Sequence, residues 1–325
     1  MFCNNNLYDR LKTCVVGQTW SPKFYDWITE PAVREPLQRI ACETQQDLDG
    51  LAAKLQSLGV EVLRPRIDVS WTDDGAKVPA PPMNPGDSMC MIDTVFVHAV
   101  TPHSSLYDQV LDTIAGQNPI VTLPEPTLCA AMHFQFEHRV VVGRNYVDDW
   151  ATADKLWRSL SPKPCQRFPL PGHIDGWFSP VSPGLIVSDV DPHNQGLLKM
   201  FYKTYFPDWQ VVSCQGGWQQ HEWSIADWQQ ATQGRWWVQG EESNTKFHDF
   251  VDRYLVDWVG NAQESVFDVN IVIVDDRNVI VRESTNQLLL ESLDRHGVTI
   301  HQVPFRHATF WDGCVNCATL PLSRG

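Results

Sequence analysis

The chain has 325 residues, and its 43% hydrophobic and 20% charged residues are typical of a globular protein. Its 39 acidic and 25 basic residues give a formal charge of −14 with no basic run to offset it, which argues against binding to nucleic acid or to anionic lipid. The beginning of the chain lacks a signal-peptide pattern and no segment approaches a membrane span, so we expect a cytoplasmic protein.

Helix–turn–strand units recur along the chain. In LQSLGVEVLRPR (55–66) a helix ends in a glycine turn before a β-rich run. LLKMFYKTYFPDWQVVSC (197–214) has a Pro-Asp turn at the same place, and LDRHGVTIHQVPFR (293–306) has the glycine again. One buried face is predicted for the first helix, on residues spaced three and four apart: Leu37, Ile40, Thr44, Leu48, Leu51 and Leu55.

Short apolar strands also recur, with helices between several of them. Five are predicted: TCVVG (13–17), TVFVHAV (94–100), RVVVGRN (139–145), GLIVSDVD (184–191) and NIVIVDD (270–276). Because none is followed by a Gly-rich phosphate loop, these strands favour a closed pseudo-symmetric α/β array over a doubly wound sheet. We take residues 1–325 as a single domain with this repeated architecture.

Cys314 and Cys317 are three residues apart in HATFWDGCVNCATLPLSRG (307–325). A metal site would need a second ligand pair, and the sequence has no other C-x-x-C. A thioredoxin-type redox pair should open a helix soon after an N-terminal strand, which this pair does not. The nine cysteines are odd in number and scattered, which is typical of free thiols. A reactive nucleophile and two buried thiols remain as interpretations.

A cysteine nucleophile needs a base, and the best candidate is His173 in FPLPGHIDGWFSPVSPGLIVSDVD (168–191). Asp175 follows two residues later, which in an extended segment puts both side chains on one face. Flanking Pro and Gly residues fix the loop. A His-x-Asp pattern alone is more often an ordinary surface pair, so the segment leaves both interpretations open.

Several motifs together resemble one family. Residues 270–325 resemble the C-terminal part of the glycine/inosamine amidinotransferase family, in the pentein superfamily of guanidino-group-modifying enzymes. HIDGWFSPVSPGLIVSD (173–189) resembles the family's His-Ile-Asp segment, and MCMIDTVFV (89–97) resembles the segment whose Asp binds the guanidinium. LYDRLKTCVVGQ (7–18) and GVEVLRPRIDVSW (59–71) resemble its opening strand and first helix–strand unit.

The resemblance implies a fold, a reaction and a set of site residues. The fold would be a five-bladed pseudo-symmetric α/β propeller, the pentein fold. Cys317 would be the nucleophile and His173 the acid/base, with Asp93 and Asp175 holding the guanidinium; Cys314 would occupy the family's Gly-rich turn. An amidino group would move from a guanidino donor, L-arginine by resemblance, to a small amine acceptor through a covalent thiouronium on the cysteine. No metal or organic cofactor is implied, and a homodimer is compatible with the resemblance.

The sequence departs from the family pattern at three places. The acidic residues of a D-A-A-D type segment are replaced in CAAM (129–132), so that Cys129 stands where the acid of a catalytic triad is expected. Asn316 replaces the usual His before the nucleophile, and Pro192 replaces a basic residue that helps to hold the substrate carboxylate. An imidazole without its orienting acid is a poor base, so an active enzyme needs a substitute such as Glu125 or Glu137.

Three functions therefore compete. The first is an amidinotransferase with altered substrate specificity. The second is a deiminase-like hydrolase, which releases the intermediate to water. The third is a catalytically inactive pentein that serves as a binding protein. In the first two, His173 and Cys317 must meet across one central cavity, which requires that the strand array closes.

Overall fold

The computed structural model describes residues 1–67, 78, 80–100, 104–124, 128–144, 150–189, 195–214, 238–255, 259 and 267–325. Within these ranges the chain forms five three-stranded sheets with helices between the strands. In chain order the helices and strands are β1 (Leu11–Val16), α1 (Pro31–Ser57), β2 (Glu61–Leu63), β3 (Met89–Ile92), β4 (Val95–Ala99), α2 (Asp108–Ala115), β5 (Ile120–Leu123), β6 (His133–Gln135), β7 (Val140–Arg144), α3 (Trp150–Leu160), β8 (Cys165–Pro171), β9 (Phe178–Ser182), β10 (Leu185–Ser188), α4 (Gln195–Tyr205), β11 (Gln210–Ser213), α5 (Thr245–Phe250), β12 (Val272–Ile273), β13 (Asn278–Arg282), α6 (Gln287–Arg295), β14 (Thr299–Val303), α7 (Ala308–Trp311) and β15 (Thr319–Arg324).

Four sheets repeat one connection along the chain, in the order β3-β4-β5, β6-β7-β8, β9-β10-β11 and β12-β13-β14. In each, the first two strands form an antiparallel hairpin, and the third strand is parallel to the second. A parallel neighbour requires a crossover, and a helix lies in the crossover of every one of these units.

The fifth sheet combines the two ends of the described chain. Strand β15 pairs antiparallel with β1, with Leu11 opposite Arg324 and Val16 opposite Thr319, and β2 is parallel to β1 after the long helix α1. The same arrangement of an antiparallel pair and a parallel third strand therefore recurs here, although the two antiparallel strands come from opposite ends of the sequence.

Neighbouring units share their apolar cores. Trp157 of α3 belongs to one buried cluster with Val97 of β4 and Val142 of β7, so this cluster joins the β3-β4-β5 sheet to the β6-β7-β8 sheet. Leu293 of α6 likewise shares a buried cluster with Val187 of β10. Fully burying a side chain of this size contributes about 1.5–3 kcal/mol, so these shared cores hold successive units together.

The predicted helices and most predicted strands are confirmed. All six residues of the predicted face of α1 are buried, and Gly59 and Gly297 have φ of 81° and 75°, as the glycine turns require. Three predicted strands contain β4, β7 and β10, and the prediction 13–17 overlaps β1; these four are the central strands of their sheets. The fifth prediction, 270–276, contains the edge strand β12, because the chain turns back at 274–277 and β13 takes the central position.

Five turns, each before the first strand of a hairpin, position the candidate site. Four are 3-10 turns, Pro85–Asp87, Ala130–Met132, Ile174–Gly176 and Phe267–Val269, and residues 315–318 form the fifth before β15. The four 3-10 turns contact one another in chain order, and the first also contacts β15. Segments far apart in the sequence therefore meet at one place.

None of the helices in the described ranges combines the length and the hydropathy that crossing a bilayer requires.

Candidate active site

Cys317 lies in the turn between α7 and β15. The N–H of Ala318 donates to the carbonyl oxygen of Cys314 at 2.9 Å, which closes the turn around the nucleophile candidate. Both cysteines are buried, Cys317 with 1% of its surface exposed and Cys314 with none. Gly313 allows this packing, because a Cβ there would lie 3.0 Å from Cβ of Cys317 and 2.9 Å from Nδ2 of Asn84.

The sulfur of Cys317 contacts a carboxylate and an amide. Its Sγ lies 3.7 Å from Oδ2 of Asp175 and 3.1 Å from Nδ2 of Asn270. The same Oδ2 accepts hydrogen bonds from Nδ2 of Asn316 at 2.8 Å and from Nδ2 of Asn270 at 3.2 Å. The two amides therefore fix one oxygen of the carboxylate beside the sulfur.

Asn270 also fixes the backbone of the nucleophile turn. Its Oδ1 accepts from the N–H of Asn316 at 2.7 Å and from the N–H of Cys317 at 3.3 Å. Because Oδ1 accepts two backbone N–H groups, Nδ2 must point to the sulfur and to Asp175. Asn270 was not identified from the sequence, where an Asn before an apolar strand is typical of a turn residue.

Asp175 is 2% exposed, and burial raises the pKa of its carboxyl group. The nearby charge of His173 and hydrogen bonds from Asn316 and Cys317 act in the opposite direction. The other oxygen, Oδ1, is buried and has no hydrogen-bond partner among the described residues. A buried carboxylate with one unsatisfied oxygen is stabilised by a cationic donor.

Asp87 is a second carboxylate at the site. Its turn is attached to the nucleophile turn by a hydrogen bond from the N–H of Gly86 to the carbonyl oxygen of Cys317, at 3.3 Å. Oδ1 of Asp87 is buried without a hydrogen-bond partner among the described residues, and it lies 3.8 Å from Nδ1 of His173. Burial raises the pKa of Asp87 to about 7, and the charges of Asp175 and Asp312 add to this effect, whereas His173 opposes it.

His173 and Asp175 are separated by their local geometry. Ile174–Gly176 is a 3-10 turn rather than an extended segment, so the argument that placed the two side chains on one face does not apply. The turn directs Asp175 to the sulfur of Cys317 and brings His173 within 3.8 Å of Asp87. Asp175 therefore contacts the nucleophile, and His173 contacts the turn that carries Asp87, by a different local structure from the one expected.

Asp93, the other predicted guanidinium ligand, lies in a different place. It occupies the turn between β3 and β4 with φ of 50°, and its carboxylate accepts from Oγ of Ser161 at 2.7 Å and lies 3.5 Å from Nζ of Lys163. Strand β3 has four residues and is about 13 Å long at the usual rise per residue, and Asp93 and the turn that carries Asp87 lie at its opposite ends. The structure therefore brings Asp87, and not Asp93, to Asp175.

Of the candidates for the missing acid, the structure describes Cys129 and Glu137, and neither places a carboxylate beside His173. Cys129 is 1% exposed, and burial raises the pKa of its thiol well above the usual range, with smaller contributions from the charges of Asp87 and Asp175. It is thus a neutral thiol near both carboxylates. Glu137 lies in the turn between β6 and β7, exposed and 3.5 Å from Nε2 of His138. Glu125 and Pro192 lie outside the described residues.

A cavity of about 70 Å³ borders the sulfur of Cys317 and the carboxylate of Asp175. It has room for about five water molecules, or for a group the size of a guanidinium. The cavity continues between the first strands of the hairpins, past His133 and Arg324. Burial lowers the pKa of His133 to about 4, so this imidazole is neutral. No three His, Cys, Asp or Glu side chains of the described ranges are grouped as metal ligands.

No protein-family model matches the chain, and no curated protein matches it in sequence. Solved structures do match. The inosamine-phosphate amidinotransferase of Streptomyces griseus aligns over 100% of this chain and 97% of its own, with a TM-score of 0.66 and 17% identity. SxtG, an amidinotransferase of Microseira wollei in the saxitoxin biosynthetic pathway, covers 99% and 97%, with a TM-score of 0.68 and 15% identity.

A hydrolase matches as well. A dimethylarginine dimethylaminohydrolase aligns over 95% of this chain and 99% of its own, with a TM-score of 0.55 and 12% identity. These similarities show that the chain has the pentein fold, which confirms the family resemblance at the level of the fold. The fold is shared by transferases and hydrolases, so activity has to be argued from the site itself.

Proposed function

We propose that the protein modifies guanidino groups, and specifically that it transfers an amidino group from a guanidino donor such as L-arginine to an amine acceptor. One observation carries the proposal. Beside the thiol of Cys317, Oδ1 of Asp175 is buried and lacks a hydrogen-bond partner among the described residues, and the turn attached to Cys317 carries a second carboxylate, Asp87. An unsatisfied carboxylate oxygen next to a nucleophile, with a second carboxylate nearby, forms a site for a cation with several N–H donors.

A guanidinium fits this chemistry because it is planar and carries its positive charge over N–H groups in one plane. Asp175 would accept these donors through Oδ1, while its Oδ2 stays bound to the amides of Asn270 and Asn316. The negative charge of Asp87 adds to the attraction. In-plane hydrogen bonds leave the face of the guanidinium carbon open to the sulfur.

The first half-reaction forms a bond between Sγ of Cys317 and the guanidinium carbon. The thiol proton passes to His173, the thiolate adds to the carbon, and the bond from that carbon to the donor amine breaks. His173 returns the proton to the departing amine. The products are the free amine and an amidino group attached to the sulfur as a thiouronium.

The second half-reaction reverses these roles with another amine. The acceptor attacks the thiouronium carbon, His173 takes its proton, and the carbon–sulfur bond breaks to release the thiolate of Cys317. If water attacks instead, the same intermediate yields a urea product, which is the hydrolase alternative. The alternative is supported by the fold that the chain shares with a dimethylarginine dimethylaminohydrolase.

We also propose that the five sheets are the blades of a propeller around this site. The shared cores of neighbouring units support the arrangement, as do the contacts among the turns that carry Asp87, Asp175 and Cys317. Pairing of β1 with β15 gives the fifth unit the same hairpin as the others.

The test is to incubate the protein with L-arginine, alone and with a panel of primary amines, and to follow both the protein mass and the small-molecule products. A transferase forms an amidino adduct on Cys317 and passes it to an amine, with ornithine as the first product. A hydrolase that forms the same adduct produces urea beside ornithine. A deiminase-like hydrolase instead releases ammonia first, carries a heavier adduct that keeps the ornithine part, and produces citrulline. An absence of adduct and product with arginine and with simple alkylguanidines would leave the inactive binding protein as the function.

A further inference from the structure

The imidazole of His173 needs an acceptor that holds the proton on one ring nitrogen, so that the other nitrogen can act as a base. The resemblance places the acid at position 129, where this chain has a buried thiol. A neutral thiol is a weak acceptor. Some other oxygen must take this role if the enzyme is active.

We propose that Asp87 is the positioning residue for His173, accepting the Nδ1 proton in place of an acid at position 129. The inference rests on the proposed function, in which His173 moves the protons. Oδ1 of Asp87 lies 3.8 Å from Nδ1 of His173 and is buried without a hydrogen-bond partner in the described part of the chain. A movement of about 1 Å converts this contact into a hydrogen bond.

Such a movement is small, because catalytic hydrogen bonds tighten when a substrate binds. Asp87 ends the 3-10 turn Pro85–Asp87, and His173 precedes the 3-10 turn Ile174–Gly176. The turn of Asp87 is attached to Cys317 through the N–H of Gly86. Nucleophile, base and orienting acid would then belong to three turns that hold one another in place.

The other carboxylates of the site are placed for different roles. Oδ2 of Asp175 is occupied by Asn270, Asn316 and the sulfur of Cys317, so this carboxylate faces the nucleophile. Glu137 is exposed in a hairpin turn. Asp87, by contrast, places a carboxylate oxygen within 4 Å of the imidazole.

The charge of Asp87 depends on its surroundings. The groups that interact with it electrostatically come from several turns: His173, Asp175, Asp312, Cys129 and Tyr107. Because burial and two of these carboxylates raise the pKa of Asp87 to about 7, it accepts the Nδ1 proton as an anion only above that pH. The base would thus be correctly oriented at neutral to mildly alkaline pH.

The test compares Asp87→Asn with Asp93→Asn, which removes a carboxylate held by Ser161 and Lys163 in another turn. Nitrogen NMR of 15N-histidine-labelled protein above pH 8 reports the tautomer of His173. The signals of His173 are assigned as those that disappear in His173→Gln. The starting protein and Asp93→Asn should carry the proton on Nδ1. Asp87→Asn should shift His173 toward the Nε2–H form and lower kcat about 100-fold or more.

A rescue separates positioning from a structural effect. Asp87→Asn combined with Cys129→Asp should regain at least part of kcat, since it supplies an acid where the resemblance places one. If Asp87→Asn raises KM alone and leaves the tautomer unchanged, Asp87 only binds substrate and the inference is overturned. Asp87→Ser repeats the measurements if the Asn variant does not fold. A tautomer shift in a protein without turnover supports the inference and rejects the proposed function.

Discussion

The side-chain amide of Asn270 lies 3.1 Å from the sulfur of Cys317 and, through its Oδ1, accepts the backbone N–H of the same residue at 3.3 Å. One side chain thus binds the nucleophile at two points. An N–H donor at the sulfur favours the thiolate over the thiol, and the backbone contact fixes the direction from which the sulfur approaches a substrate.

Replacing Asn270 should therefore slow the reactions of Cys317. Asn270→Asp puts a carboxylate against the sulfur, disfavours the thiolate and should slow iodoacetamide alkylation of Cys317 about tenfold or more at pH 7.5. Peptide mapping of time points measures the rate at this cysteine alone. Asn244→Asp is the control for the same substitution in another part of the chain: it keeps the cap of helix α5, and it loses only the hydrogen bonds from Nδ2 to Ala32 and Glu241. Equal alkylation rates for the two variants would show that Asn270 does not favour the thiolate of Cys317.

The two cysteines of the nucleophile turn should differ completely in function. Cys317 borders the cavity and contacts Asp175, whereas Cys314 is fully buried and its carbonyl oxygen closes the turn. Cys317→Ser should abolish both the amidino adduct and turnover. Cys314→Ser should keep the adduct, with some loss of stability from a buried hydroxyl. Retention of turnover by the Cys317 variant, with its loss in the Cys314 variant, would reverse the assignment.

The elements that were predicted correctly have a local signal. The helical period of α1 is visible in the spacing of Leu48, Leu51 and Leu55. The turns after the helices are marked by a glycine, which can adopt the positive φ that they require. The site residues Cys317, His173 and Asp175 were proposed from a resemblance of whole segments. Asp87 was missed because MCMI is apolar from end to end, so the strand does not show which of its flanking Asp residues faces the site.

A different signal could have identified Asp87. NPGDSMCMI and PGHIDGWFSPV each place an Asp in a Pro- and Gly-containing turn just before an apolar strand. The hairpins of these two strands occupy equivalent positions in their units. Asn270 and the contact between Asp87 and His173 lack such a signal, because they depend on how the turns of separate units meet.

Asp175 should determine the affinity for a guanidinium. Asp175→Asn removes the negative charge that attracts the guanidinium while keeping the size of the side chain. It should weaken binding of arginine about tenfold to 100-fold. Calorimetry on the Cys317→Ser background measures binding without turnover. Asp93→Asn on that background should bind as tightly as the background protein. Weakening by Asp93→Asn alone would restore Asp93 as the ligand that the resemblance indicated.

Gly86 should be required for the arrangement of the site. A Cβ at this position would lie 2.9 Å from the carbonyl oxygen of Thr319 and 3.4 Å from that of Cys317, and neither backbone atom can move aside freely. Gly86→Ala should lower the free energy of unfolding by about 1–3 kcal/mol and reduce turnover strongly. Gly196→Ala, in the exposed first turn of α4 with nothing within 4 Å, should be neutral or stabilising. Thermal unfolding and turnover of both variants check this contrast.

The raised pKa of Asp87 should appear in the pH dependence of stability. The folded protein keeps the proton up to about pH 7, whereas the unfolded chain loses it near the ordinary value of 3.8. Between these values the folded state binds more protons, so ionisation of Asp87 lowers the free energy of unfolding as the pH rises and has no further effect above pH 7. Asp87→Asn does not titrate at this position. Its stability relative to the starting protein should therefore increase from pH 4 to pH 7 and then level off.

The size of the increase is limited by solvent. The side chain of Asp87 is 29% exposed, so the full value of about 1.4 kcal/mol per pKa unit is too large, and we expect a plateau of about 2 kcal/mol. Urea unfolding of both proteins from pH 4 to pH 9 measures the difference. Asp154→Asn is a control of opposite sign, because the hydrogen bond from Arg158 lowers the pKa of Asp154 and its stabilisation is lost on acidification. A difference for Asp87→Asn that stays constant or falls with pH would show that Asp87 is ionised in the folded protein at acidic pH.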